Sequence, residues 1–156
     1  MTRRAWSIWQ HWWFAPQPTS TLAIFRIAFG AVALVWSLAL MPNLDAFFSA
    51  DGIEPASVAA TWGLLGHFRG DAFLHLAFAA LVLSALCVTV GLFTRSASVV
   101  LFILVFSFIE RTPSIFNSGD GLLRNLSFLL IFMPAGASLS IDRLRRHRHS
   151  FWQHPQ

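Results

Sequence analysis

The chain carries a scattered set of residues that could do chemistry: His75, Glu110, Arg111, Asn117, Asp120 and Arg124 fall near the ends of apolar runs and are expected at one depth. An ionisable group beside lipid needs a partner or a purpose, so together they would form an ion-pair network, a proton site or a site for a polar substrate. Asp120 and Arg124 are spaced i, i+4 with the acid first, the favourable order, and the acid stands at a positive helix start. That pair is expected to neutralise itself. Glu110 opposes the dipole at a helix C-terminus and calls for Arg111 or Arg124. His75 reads as an interface residue, since no other histidine or carboxylate stands beside it at ligand spacing.

A second set lies toward the opposite face. Arg26 sits within the first apolar run, with Gly30 one turn further on the same helix face. It either snorkels to the interface or pairs with Asp142, and Arg95 would complete that inner cluster. His147 and His149 have metal-like spacing but belong to a basic tail suited to anionic lipid.

Composition removes several chemistries. All 11 basic residues are arginine, because the chain contains no lysine, so Schiff-base, amine-base and phosphate-loop lysines are excluded. Cys87, the single cysteine, lies in an apolar run and reads as a small buried hydrophobe, which excludes an intrachain disulfide and a cysteine metal site. No phosphate loop, nucleophile elbow or zinc motif occurs. With 56% hydrophobic and 12% charged residues, against roughly 25% charged in soluble domains, the composition is that of a membrane protein.

The elements that would position these groups follow from hydropathy and breakers. Trp6, Trp9 and Trp13 share one helix face behind Arg3 and Arg4, which predicts an amphipathic helix lying on the membrane surface within residues 1–20. Apolar runs then predict spans over about 21–41, 73–93, 96–111 and 120–139, the last kinked at Pro134. The connection over 42–72 is acidic and contains an Asp51-Gly52 turn and a short helix from Pro55 to Leu65. Residues 143–156 form a basic tail. The expected fold class is all-α: an integral membrane four-helix bundle with an N-terminal interfacial helix. Arginine at the N-terminus, at the Arg95 turn and in the tail places both termini in the cytoplasm, with Arg111 the exception to the pattern.

Five pieces occur in order: Ile24 to Gly30, Ala50 to Pro55, Gly91 to Arg95, Asn117 to Leu123 and Ser138 to Asp142. Together they resemble the horizontally transferred transmembrane (HTTM) domain, the membrane part shared with vitamin K-dependent gamma-carboxylase. The resemblance covers about residues 20–142 and corresponds to the N-terminal half of the usual domain. It implies a membrane bundle but not the carboxylase chemistry. Carboxylases carry a histidine after the asparagine matching Asn117, where this chain has Ser118 and Gly119, and their lysine base in a later helix has no counterpart. Neither glutamate carboxylation nor vitamin K epoxidation is therefore expected.

These readings lead to a non-catalytic accessory or partner subunit of the bacterial inner membrane. Its partners would be the lipid bilayer and another membrane protein or a second copy of itself, with no nucleic acid, no metal and no cofactor. The alternative resembles the small DoxX-like membrane proteins, in which the polar groups would sit beside a bound quinone. A truncated carboxylase-like chain is the remaining alternative.

Overall fold

The computed structural model describes residues 19–49, 52–53, 63–68, 70–133 and 140–142. The expected Trp-rich surface helix, the Pro55 to Leu65 helix over most of its length, and the basic tail lie outside the described residues. Within them the chain is all-helical, with no strands.

Helix α1, Thr19–Leu40, is 22 residues long, or about 33 Å at 1.5 Å per residue. Pro42 ends it through a single 3-10 turn, Met41–Asn43, after which the short helix α2, Leu44–Phe48, bends away. The one-turn helix α3, Leu64–His67, is pinned to a later helix by the Leu64 N–H donating to the Ser107 hydroxyl at 3.0 Å. Helix α4, Asp71–Val90, has 20 residues, and α1 with its continuation through Phe48 and α4 are both long and apolar enough to cross a membrane. Helix α5, Thr94–Arg111, and helix α6, Ser118–Phe132, complete the set.

The long helices pack in chain order, α1 on α4, α4 on α5 and α5 on α6. The α1–α4 seam is close because Gly30 carries no side chain. A Cβ there would come within 2.5 Å of the Thr89 hydroxyl and 2.8 Å of its backbone nitrogen. Aromatics fill the end of the bundle near α2: buried Phe48 meets buried Phe108 edge-on at 5.1 Å, and half-buried Trp36 lies 5.8 Å from half-buried Phe116.

Two local rules explain the remaining ends. Gly91 closes α4 in the left-handed conformation (φ 73°), its N–H donating to the Cys87 carbonyl. Asn117 starts α6 with a capping box, its side chain accepting the Gly119 N–H while Asp120 accepts the Asn117 N–H, both at 2.7 Å. Of the expected run of α6 through Pro134 to Leu139, the described residues reach only Met133. Met133 is extended (ψ 139°), as steric conflict with a following proline requires, and the helix ends at Phe132. The Leu130 carbonyl accepts the Met133 N–H. Residues 134–139 lie outside the described part.

Candidate functional site

At the α4–α5 turn the chain converges on Arg26 and Asp142. Phe93 adopts a left-handed conformation (φ 46°) that costs a non-glycine residue about 1–2 kcal/mol. Asp142 holds it there, one carboxylate oxygen accepting the Phe93 N–H at 2.9 Å, the other accepting the Thr94 N–H at 3.0 Å and the Thr94 hydroxyl at 3.1 Å. The Asp142 N–H in turn donates to the Gly91 carbonyl. A carboxylate at the first turn of α5 also meets the positive end of that helix.

Arg26 enters this cradle from α1 and is completely buried. Its guanidinium lies over Gly91, where a Cβ would stand 2.8 Å from Nη1 and 2.5 Å from the Ser140 Cβ. Asp142 is near enough to attract its charge. Arg95, expected in this cluster, is exposed and makes no ion pair among the described residues, so the inner set is Arg26, Gly91, Thr94, Ser140 and Asp142. Gly91 and Ser140 could have been suspected from the Gly-Leu-Phe-Thr and Ser-Ile-Asp segments, but their approach to Arg26 is a property of the packing.

At the opposite end of α5, the expected outer cluster divides into separate local arrangements. Glu110 accepts from Arg124 at 3.0 Å across the α5–α6 seam, and the Arg124 guanidinium lies 6.0 Å from the Phe106 ring centre. Arg111 is buried and donates to the Ser49 carbonyl at 2.8 Å, tying the end of α5 to the end of α2. His75 is exposed, with Nε2 3.3 Å from Asp45 and Nδ1 2.8 Å from the Asp71 carbonyl. Asp120 uses one oxygen for the Asn117 N–H and the other for the Trp36 indole N–H at 2.7 Å.

The expected Asp120–Arg124 pair is therefore not formed. The capping box and Trp36 claim the acid, while the longer arginine reaches to Glu110 on the neighbouring helix. Trp36 and Ser49 were absent from the candidates read in the sequence. Trp36 had one signal, an indole in an apolar run whose N–H needs an acceptor when buried; a backbone carbonyl such as that of Ser49 leaves none.

Beside these groups, a groove of about 400 Å³ runs between α1 and α6, lined by Phe25, Phe29, Val32, Trp36, Asp120 and Leu126 among others. A second hollow, of about 560 Å³, lies between α3 and α5 against Phe68, Phe102 and Phe106, with no carboxylate or arginine among the described residues that line it. Among the described residues, no three of His, Cys, Asp and Glu converge in a way that could hold a metal ion.

Comparison with known proteins adds one match. No curated protein and no solved structure matches the chain. The family model described as the HTTM domain matches residues 14–155, a wider stretch than the 20–142 spanned by the motifs. The fold's apolar helices, the Arg26–Asp142 junction and the capped start of α6 thus all lie inside the matched region, and the chain belongs to the HTTM domain family.

Proposed function

We propose that this protein is a four-span integral protein of the bacterial inner membrane with both termini in the cytoplasm, acting as a non-catalytic accessory or partner subunit. One observation carries the membrane reading: the residues are distributed inside out. Ile24, Val35, Leu76, Leu83, Leu122 and Phe132 are each more than half exposed, whereas Ser37, Ser84, Ser98, Ser107 and Ser127 are buried between helices. At roughly 1.5–3 kcal/mol for fully burying each large side chain, leaving about two-thirds of the surface of these six exposed would forfeit about 6–12 kcal/mol in a soluble protein. That is as large as the whole stability of an ordinary domain, about 5–15 kcal/mol. Facing lipid, the same residues cost nothing, and small hydroxyl residues are what let helices approach in a bilayer.

Helices of 22, 20, 18 and 15 residues suit this reading, the shortest needing local thinning of the bilayer. The charges at the ends of α5 and α6 support a supporting role, because Glu110, Arg111, Asp120 and Arg124 are each engaged in holding one element to another. Arg111, the exception to the charge pattern, is a buried tie to Ser49 rather than a topology signal.

Fractionation with alkaline washing tests the membrane assignment: the chain stays in the pellet. A C-terminal fluorescent fusion glows and a C-terminal phosphatase fusion is inactive; an active phosphatase would reverse the orientation. Purified protein given reduced vitamin K and a glutamyl peptide yields no carboxylated product, and formation of that product would sink the accessory role. Gentle solubilisation recovers the chain with a stoichiometric membrane partner or a second copy; a strict monomer would count against a subunit.

A further inference from the structure

The groove between α1 and α6 has one property the proposed function does not use. Its floor and lips are apolar, from Phe25, Phe29 and Val32 on one side to Leu122 and Leu126 on the other, and its end is closed by the Trp36–Asp120 hydrogen bond. Val32 and Leu122 are both more than half exposed, so the groove opens sideways from the bundle. From Phe25 to Trp36 it runs about 16 Å along α1, close to the depth of one leaflet's hydrocarbon.

Asp120 gives this slot a headgroup preference. Among the described residues no cation stands in ion-pair range of it, because Arg124, one turn away, is committed to Glu110. The positive end of α6, worth roughly half a charge, reduces the carboxylate's charge without cancelling it. Two hydrogen bonds occupy Asp120, one on each oxygen. An ionised carboxylate accepts about four, so each oxygen keeps a lone pair. An apolar slot a few hundred Å³ in volume with a single polar group at one end has the build of a small-molecule site.

We propose that this groove binds a membrane lipid with a primary ammonium headgroup, one acyl chain lying along Phe25, Phe29 and Leu126 and the ammonium donating to the Asp120 carboxylate. The proposal rests on the membrane reading. It selects phosphatidylethanolamine over phosphatidylcholine, whose net charge is the same but whose quaternary nitrogen has no N–H to donate. It also selects against phosphatidylglycerol, whose net negative charge the carboxylate repels.

The test uses the full purified chain in neutral detergent, titrated with these three phospholipids carrying identical acyl chains, with bound lipid read by native mass spectrometry and by the melting midpoint. Phosphatidylethanolamine binds about tenfold more tightly than either competitor, the effect expected of a charge-assisted hydrogen bond, and raises the midpoint most. Asp120→Asn, which keeps an acceptor for Trp36, erases the preference. Leu126→Trp, which fills the slot, lowers lipid occupancy while the chain still melts cooperatively. Should Asp120→Asn fail to fold, the headgroup comparison on the native chain and Leu126→Trp decide the matter. Equal binding of all three lipids, a preference that survives Asp120→Asn, a quinone displaced by none of them, or a dimer that buries the groove would each overturn the proposal. A chain that pellets with membranes yet shows no headgroup preference refutes this site alone, whereas a chain released by alkaline washing refutes the membrane reading.

Discussion

Asp142 caps a helix that begins 48 residues before it, its carboxylate receiving both the backbone N–H and the hydroxyl of Thr94. Through this contact the segment after α6 locks the α4–α5 turn and meets the buried Arg26 of α1. Asp142→Ala removes every one of those acceptors and leaves Arg26 without that carboxylate. A lost cap costs about 0.5–2 kcal/mol, and with the buried charge added the total is expected at about 2–4 kcal/mol. Denaturation in mixed micelles measures it, and a change below about 0.5 kcal/mol, the ordinary surface value, would mean that the junction is not structural.

Arg26→Gln combined with Asp142→Asn addresses the electrostatic part of the same junction. Residues in contact typically couple by about 0.5–3 kcal/mol, and a double-mutant cycle on unfolding free energy is expected to fall in that range. Strict additivity would show that Asp142 serves the α5 terminus alone.

Glu110 and Arg124 form a partly exposed pair, with 25% and 34% of their side-chain surfaces accessible. Exposed pairs contribute roughly 0–1 kcal/mol, so the coupling is expected near 1 kcal/mol and lower in high salt. Arg124→Gln combined with Asp120→Asn, the pair suggested by i, i+4 spacing, is expected to be additive within about 0.5 kcal/mol. Strong coupling there would restore the intrahelical pair.

Gly30→Ala is expected to push α1 from α4 and to cost about 1–3 kcal/mol, the usual penalty of overpacking. Thr89→Ala gives little relief, because the new methyl also meets the Thr89 backbone nitrogen and Cα at 2.8 and 2.9 Å. Complete rescue by Thr89→Ala in a melting experiment would show that the hydroxyl is the sole obstruction. Gly91→Ala is expected to be worse, since φ 73° strains any side chain as well.

Trp36→Phe keeps the ring against Phe116 but deletes the indole N–H that Asp120 accepts at 2.7 Å. A hydrogen bond to a charged group contributes about 1.5–3 kcal/mol, which a shift in the unfolding midpoint would report. An unchanged midpoint would assign the closure of the groove's end to packing alone.

Much of the helical frame was legible because it depends on short-range properties. Apolar runs, Pro42, Thr112-Pro113 and the Gly91 stop mark helix ends through covalent and steric rules that act within a few residues. Asn117 and Asp120 likewise display their capping box in spacing alone. Pro134 was legible as a disturbance, and the extended Met133 before it shows that α6 stops at Phe132 rather than running unbroken into the proline.

Which charge meets which was left to the tertiary structure. Spacing along a helix identifies neighbours on that helix, worth only about 0.2–0.5 kcal/mol per pair. Contacts between helices depend on rotation and crossing, which small residues such as Gly30 permit and no linear pattern encodes. Asp120 therefore turned to Trp36, Arg124 to Glu110 and Arg111 to Ser49, while Arg95 remained outside. The amino-acid order determined that this chain makes long apolar helices with charges at their ends; packing decided that those charges fasten the ends together and that Asp120 faces an open groove.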